Sequence, residues 1–118
     1  MSEDRRDFSK LIAVVQQRAE LDSTNPEAQY HVAISYWDEA RRGSNLTRAQ
    51  QHEYVKNGLA AVDRAIALNP RYVDALVCRG LLLRMEAGVE SDGGRRNALL
   101  DEAAEMQHRA ISIKKERK

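Results

Sequence analysis

The sequence predicts an all-α fold of about five helices in one domain, residues 1–118. The segment between its two prolines, Pro26 and Pro70, is rich in Ala, Leu, Glu, Arg, Lys and Gln, which are good helix formers. Both prolines follow an asparagine, and Asn-Pro is a turn signal that separates helices. Aromatic residues make up 5% of the chain, and no stretch alternates with period two, so strands are not expected.

The first two helices are placed by their apolar sides and by the residues that end them. The first is predicted over about residues 4–21, and the second over about residues 27–42, where the following Gly43 is typical of a C-cap. The apolar side of the first helix is formed by Phe8, Leu11, Ile12, Val15 and Ala19.

The remaining three helices are placed by N-capping residues and by apolar spacing. Thr47 and Gln50 form a capping-box pattern that starts the third helix, which ends before the second proline. The fourth helix is predicted over about residues 73–87, ending at Gly88, and Asp92 is the expected N-cap of the fifth. The fifth helix runs toward the C-terminal lysines, and its stripe is Leu99, Ala103, Met106, Ala110 and Ile113.

The helices form an internal repeat. A shift of 45 residues places Thr47 on Asp92, both predicted N-caps, and a shift of 47 places Ala33 on Gly80. Because a single helical hairpin cannot bury its apolar faces alone, neighbouring hairpins are expected to stack into an α-solenoid. Its units are an N-terminal helix (4–21), repeat one (26–70) and repeat two (71–115).

The repeat resembles the tetratricopeptide repeat, whose pattern is W-x2-L-G-x2-Y, then A-x3-F, then P. Repeat one reads Gln29-x2-Val32-Ala33-x2-Tyr36, then Gly58-x3-Val62, then Pro70. Repeat two reads Leu76-x2-Arg79-Gly80-x2-Leu83, then Ala103-x3-Gln107. The resemblance implies a right-handed solenoid, although the period is longer than the family's 34 residues. Arg79 and Gln107 also replace apolar groups, so the second hairpin is expected to pack less well. A HEAT-type repeat has a similar period, but the small-residue spacing and the Asn-Pro turns favour the tetratricopeptide interpretation.

The second and fourth helices carry a second apolar stripe besides the one needed for packing within a hairpin. Inner helices of tetratricopeptide arrays line a concave groove that holds a peptide or a partner helix, so the resemblance implies such a groove here. Trp37→Ala would then remove partner binding with little change in stability. The alternative is that Ile34 and Trp37 pack against the first helix or the lengthened hairpins. The implied groove residues are Glu27, Tyr30, Ile34, Trp37, Asp38, Asp74, Val77, Leu81, Arg84 and Met85.

These residues favour one class of partner. Family members that grip a C-terminal carboxylate use Lys, Asn and Arg in the groove, whereas this chain has apolar side chains at those places. The expected partner is therefore an apolar or amphipathic helix. The predicted function is a non-catalytic protein interaction module. The alternative is a self-assembling scaffold domain, either a homo-oligomer or a segment of a longer array. A candidate homodimer face is formed by Leu99, Met106 and Ile113 of the fifth helix.

Composition and motifs argue against other functions. Nineteen basic and 18 acidic residues give a net charge of +1, which provides no general attraction for nucleic acid. The longest apolar run, residues 11–15, is too short to span a membrane. The single cysteine, Cys78, excludes an internal disulfide and fits the cytoplasm. We expect no metal, cofactor or catalytic residue, because His31, His52 and His108 lack the spacing of metal ligands.

Overall fold

The computed structural model describes residues 2–43 and 45–117, and within them it contains five helices and no strand. This confirms the all-α class; Met1, Ser44 and the tail residue Lys118 lie outside the described residues. Among the described residues, none of the helices combines the length and apolar content needed to cross a membrane. The helices are α1 (Ser2–Leu21), α2 (Pro26–Arg42), α3 (Arg48–Leu68), α4 (Val73–Val89) and α5 (Gly93–Glu116).

Two helices begin with the side-chain caps that the sequence predicts. At the start of α3, Thr47 Oγ1 accepts a hydrogen bond from the backbone N–H of Gln50 at 3.0 Å. Gln50 Oε1 in turn accepts one from the backbone N–H of Thr47 at 2.9 Å, which completes the capping box. At the start of α5, Asp92 Oδ2 accepts a hydrogen bond from the backbone N–H of Arg95 at 3.1 Å. These bonds satisfy amide groups that have no partner inside the helix.

The two glycines predicted to end helices behave differently. Gly43 does follow the end of α2, but its φ of −64° is not left-handed. Its small size matters instead, because a Cβ there would lie only 2.5 Å from Leu46 Cδ1. The prediction that α4 stops at Gly88 is wrong, because α4 continues to Val89. Nothing lies within 4 Å of a Cβ built at Gly88, so no packing contact forces a turn there.

Consecutive helices contact one another, α4 also contacts α2, and the ring of Phe8 in α1 reaches Tyr54 in α3. They form a slab of 45 × 39 × 20 Å. One buried cluster joins α1, α2, α3 and one side of α4, which contributes Ala75, Cys78 and Leu82. A second cluster lies mainly between α4 and α5 and includes Leu76 and Leu83 from another side of α4. The fourth helix is therefore part of both clusters.

At the N-terminal end of the row of helices, α1 covers the first hairpin through aromatic contacts and a hydrogen bond. The ring of Phe8 packs edge-on against Tyr36, with ring centroids 5.7 Å apart, and lies 5.1 Å from the ring of Tyr54. Gln16 Nε2 donates a hydrogen bond of 2.9 Å to the Tyr36 hydroxyl. The Tyr36 side chain is thus buried while its hydroxyl group has a hydrogen-bond partner.

Arg79, which stands where the tetratricopeptide pattern has an apolar residue, forms two ion pairs. Arg79 lies between α3 and α5, where Nε donates to Asp63 Oδ1 at 2.9 Å and Nη2 donates to Glu102 Oε2 at 3.2 Å. Both carboxylates are exposed, so each pair adds little stability. The arginine nevertheless links two helices that belong to different hairpins.

The shared position of α4 gives a direct test of the packing. We expect Leu82→Ala to lower the free energy of unfolding by about 2–5 kcal/mol, because it leaves a cavity where Leu82 contacts α3. The matched control is Leu100→Ala on the exposed side of α5, which should change it by less than about 0.5 kcal/mol. Urea denaturation followed by circular dichroism measures both values; equal losses in the two variants would contradict the packing.

Candidate functional site

An open cleft of about 250 Å³ lies between α4 and α5, and we call it the α4–α5 cleft. The two helices approach closely at Gly80, where a Cβ would lie 3.5 Å from the Ala103 carbonyl oxygen and 3.7 Å from Met106 Cβ. The cleft is lined by Val77, Gly80, Leu81 and Arg84 from α4, and by Ala103, Gln107, Ala110, Ile111 and Lys114 from α5.

The cleft has apolar walls and positively charged edges. Val77 is 41% exposed and Ile111 is 45% exposed, so the walls carry apolar surface that solvent reaches. Arg84 Nη2 donates a hydrogen bond of 2.7 Å to Gln107 Oε1, which links the two helices at one end. Among the described residues that line the cleft, Arg84 and Lys114 are cations and none is acidic. An acidic group on a bound molecule would therefore be favoured there.

The internal repeat identifies a matching cleft in the first hairpin. The shifts of 47 and 45 residues that align the repeats place the walls of the α4–α5 cleft on α2 and α3. Residues 77, 80, 81 and 84 fall on Tyr30, Ala33, Ile34 and Trp37. Residues 103, 107, 110, 111 and 114 fall on Gly58, Val62, Ala65, Ile66 and Asn69. We call this the α2–α3 cleft.

The α2–α3 cleft is filled by α4. A Cβ at Gly58 would lie 3.1 Å from Leu82 Cδ2, so the glycine admits the leucine side chain. The ring of Tyr30 lies 5.3 Å from the ring of Tyr72, the residue before α4. The side of α4 that faces this hairpin carries Ala75, Cys78, Leu82 and the partly buried Met85. One of the two matching clefts thus holds a helix of the same chain.

The predicted groove residues fall into different environments. Tyr30, Ile34, Trp37 and Met85 are half-buried against the first cluster, whereas Val77, Leu81 and Arg84 line the α4–α5 cleft. Glu27 and Asp74 are exposed, and Asp38 pairs with Arg41 at 2.9 Å and with Arg42 at 3.1 Å.

This placement changes the expectation for Trp37. Its side chain is half-buried against the first cluster, and the Arg41 guanidinium lies 4.9 Å from the ring centroid. Trp37→Ala would therefore remove packing, so we expect it to lower the free energy of unfolding, and its effect on partner binding stays a prediction.

The prediction that Met106 and Ile113 belong to an exposed dimer face is wrong. Met106 and Ile113 are buried in the second cluster, and Leu99 is half-buried against it. The reason is the rotation of α5, which turns this stripe toward α4. The large apolar side chains that α5 leaves exposed are Leu100 and Ile111. A homodimer itself stays a prediction, but Met106 and Ile113 cannot form its surface without unpacking the chain.

The predicted site omitted the wall that α5 provides. Gln107, Ile111 and Lys114 line the α4–α5 cleft but carry no signal as an isolated pattern. The repeat offered a signal that the isolated pattern lacks, because these three residues align with Val62, Ile66 and Asn69 of α3, the helix on which α4 packs. Val62 and Ile66 of α3 are part of that packing, so the repeat pointed to their counterparts Gln107 and Ile111, whereas Asn69, the counterpart of Lys114, is exposed.

Several titratable side chains among the described residues form contacts between helices. Among the described residues, no group of three or more His, Cys, Asp or Glu is arranged to hold a metal ion. His52 Nδ1 lies 2.9 Å from Glu86 Oε1, which joins α3 to α4 at a nearly buried carboxylate. This contact connects the two hairpins and lies outside the α4–α5 cleft.

Comparison with protein-family models, curated proteins and solved structures finds no match for this chain. The resemblance to the tetratricopeptide repeat therefore stays a prediction that rests on the residues themselves.

Cys78 reports whether α4 leaves the α2–α3 cleft. Burial raises the pKa of its thiol to about 12, and the thiolate is the reactive form. We expect the native chain to react with a disulfide reagent at pH 8 at least ~100-fold more slowly than the urea-unfolded chain, because reaction requires opening. Absorbance of the released thiol measures both rates. Comparable rates in the folded and unfolded chain would mean that α4 is not held in place.

Proposed function

We propose that this chain is a non-catalytic protein interaction module that binds an amphipathic α-helix in the α4–α5 cleft. The observation that carries the proposal is the chain's own use of the matching α2–α3 cleft, which α4 fills. In this proposal the two hairpins form a short tetratricopeptide-type solenoid that works in the cytoplasm, where Cys78 stays reduced.

The floor of the cleft supports a helix as the ligand. Gly80, Ala103 and Ala110 are the small residues of this cleft, and they are buried where α4 packs closely on α5, so no bulky side chain rises between the two walls. Their counterparts in the occupied cleft are Ala33, Gly58 and Ala65, all of them buried. A helix with a narrow stripe of small and aliphatic residues, like that of α4, fits such a surface.

The walls of the cleft set the chemistry of the partner. Val77, Leu81 and Ile111 provide aliphatic contacts. Where the occupied cleft has Trp37 and Asn69, this one has Arg84 and Lys114. We therefore expect a partner helix with an aliphatic stripe and with acidic residues beside it, since charge complementarity steers and orients binding.

The probe for this function is a labelled synthetic peptide with the sequence of residues 70–90. In it, Leu76 and Leu83, which contact α5 in the intact chain, are both replaced by Glu to keep the peptide soluble and acidic. The stripe of Ala75, Cys78 and Leu82 is retained. Fluorescence anisotropy of the peptide should rise on titration with the intact chain.

The specificity of this binding is tested with one cleft variant and one matched control. Leu81→Glu should weaken binding at least tenfold, since loss of a central anchor costs about 2 kcal/mol or more. Leu100→Glu, on the exposed part of α5 outside the cleft, should bind as the wild type does. No anisotropy change with the wild type, or equal loss in both variants, would rule out the cleft as the binding site.

A further inference from the structure

The two cations that line the α4–α5 cleft, Arg84 and Lys114, form no ion pair with an acidic residue in the part of the chain that the structure describes. Elsewhere on α4, Arg79 pairs with two carboxylates. The hydrogen bond of Arg84 goes instead to the neutral amide of Gln107. The positive charge of the cleft is therefore not balanced by a described group that lines it.

The acidic residues closest to the cleft along α4 and α5 have other neighbours. Burial, and then the carboxylates of Glu27 and Asp74, raise the pKa of Tyr72 to about 12, so Asp74 lies beside that phenol and not among the lining residues. Near the end of α5, Glu116 pairs with Arg71. Neither carboxylate occupies the place that an acidic group of a bound molecule would take.

The two cations lie toward opposite ends of the cleft, since α4 and α5 run in opposite directions. The Arg84 guanidinium is located by its bond of 2.7 Å to Gln107 Oε1. Lys114 follows seven residues later on the same side of α5. At 1.5 Å per residue, the two positions are about 10 Å apart along the helix axis, which is close to two helical turns.

Aliphatic side chains occupy the interval between these ends. On α5, Ile111 stands four residues after Gln107 and three before Lys114. From α4, Val77 and Leu81 line the same cleft. Along two helical turns, the surface thus presents a cation, an aliphatic patch and a second cation.

Gln107 positions the cation at its end of the cleft. Its amide oxygen accepts a hydrogen bond from Nη2 of Arg84. A guanidinium has five N–H groups, so the remaining ones can still donate to a carboxylate in the paired geometry that arginine favours.

We infer that the partner of the α4–α5 cleft is a helix that carries two acidic residues seven positions apart, with an aliphatic residue between them on the same side. This inference rests on the helix-binding function proposed above and adds the order of groups that the partner must present. Seven residues of the partner span the same distance of about 10 Å, so both carboxylates meet a cation at once, whichever way the helix runs.

The inference is tested with two labelled peptides based on residues 70–90. In both, Leu76→Gln and Leu83→Gln keep the peptide soluble, and Leu82 is retained as the aliphatic residue. The two peptides have the same composition and net charge. They differ only in the side of the helix that carries one of the acidic residues.

The matching peptide has Arg79→Glu and Arg84→Gln and keeps Glu86, so two acidic residues lie seven positions apart with Leu82 between them. The shifted peptide has Arg79→Glu, Arg84→Glu and Glu86→Gln. Its second carboxylate lies five positions from the first and is turned away by roughly 140°. In fluorescence anisotropy titrations, we expect the wild-type chain to bind the matching peptide at least ~10-fold more tightly than the shifted one.

Variants of the full chain show whether this preference arises in the cleft. The double variant with Arg84→Gln and Lys114→Gln should prefer the matching peptide by less than ~2-fold, because the cations that distinguish the peptides are gone. The matched control is Lys115→Gln, an exposed lysine outside the cleft, which should keep the full preference. Far-UV circular dichroism verifies that each variant is folded.

Equal affinity of the wild type for the two peptides, or an unchanged preference in the double variant, would overturn the inference. The helix-binding function still stands in either case if Leu81→Glu in the chain weakens the binding of both peptides. If neither peptide binds the wild type, both the function and the inference are wrong.

Discussion

The structure depends on the double role of α4, which buries two of its sides at once. One side places Cys78 and Leu82 among α2 and α3, and another places Leu76 and Leu83 against α5. Each fully buried leucine contributes roughly 1.5–3 kcal/mol of burial free energy, so α4 is the main connection between the two hairpins. A helix that is apolar over such a wide arc is stable only when covered on both sides. Its stability and that of α5 are therefore linked.

The same arrangement explains why one of the two matching clefts is closed and the other is open. The α2–α3 cleft has Trp37 and Val62 where the α4–α5 cleft has Arg84 and Gln107, and these two polar groups hydrogen-bond to each other. A cleft with aromatic and aliphatic walls is costly to expose, whereas one bordered by a satisfied arginine and glutamine tolerates water. Gln107 is also one of the two departures of repeat two from the tetratricopeptide pattern, so this departure coincides with the cleft that stays open.

Sequence reasoning succeeded where the deciding interactions are local. The capping box of Thr47 and Gln50 and the cap at Asp92 involve residues three apart, so the pattern contains both partners. It failed where the outcome depends on which neighbour covers a helix. Met106 and Ile113 form an evident stripe, but only the position of α4 decides that this stripe is buried while Ile111 is not. Whether the Trp37 side chain is exposed or buried likewise depends on residues outside its own helix.

The most exposed large apolar side chains among the described residues, Leu11, Val14 and Leu21, lie on one side of α1. The helices contact one another in chain order, and in the part of the chain that the structure describes α1 packs on α2, at the other end of the row from α5. In the described part of the chain, the exposed side of α1 and the α4–α5 cleft therefore lie at opposite ends of this row, and neither covers the other. Arg18 stands between Val14 and Leu21, so this side of α1 is less apolar than the side of α4 that is buried with Cys78 and Leu82.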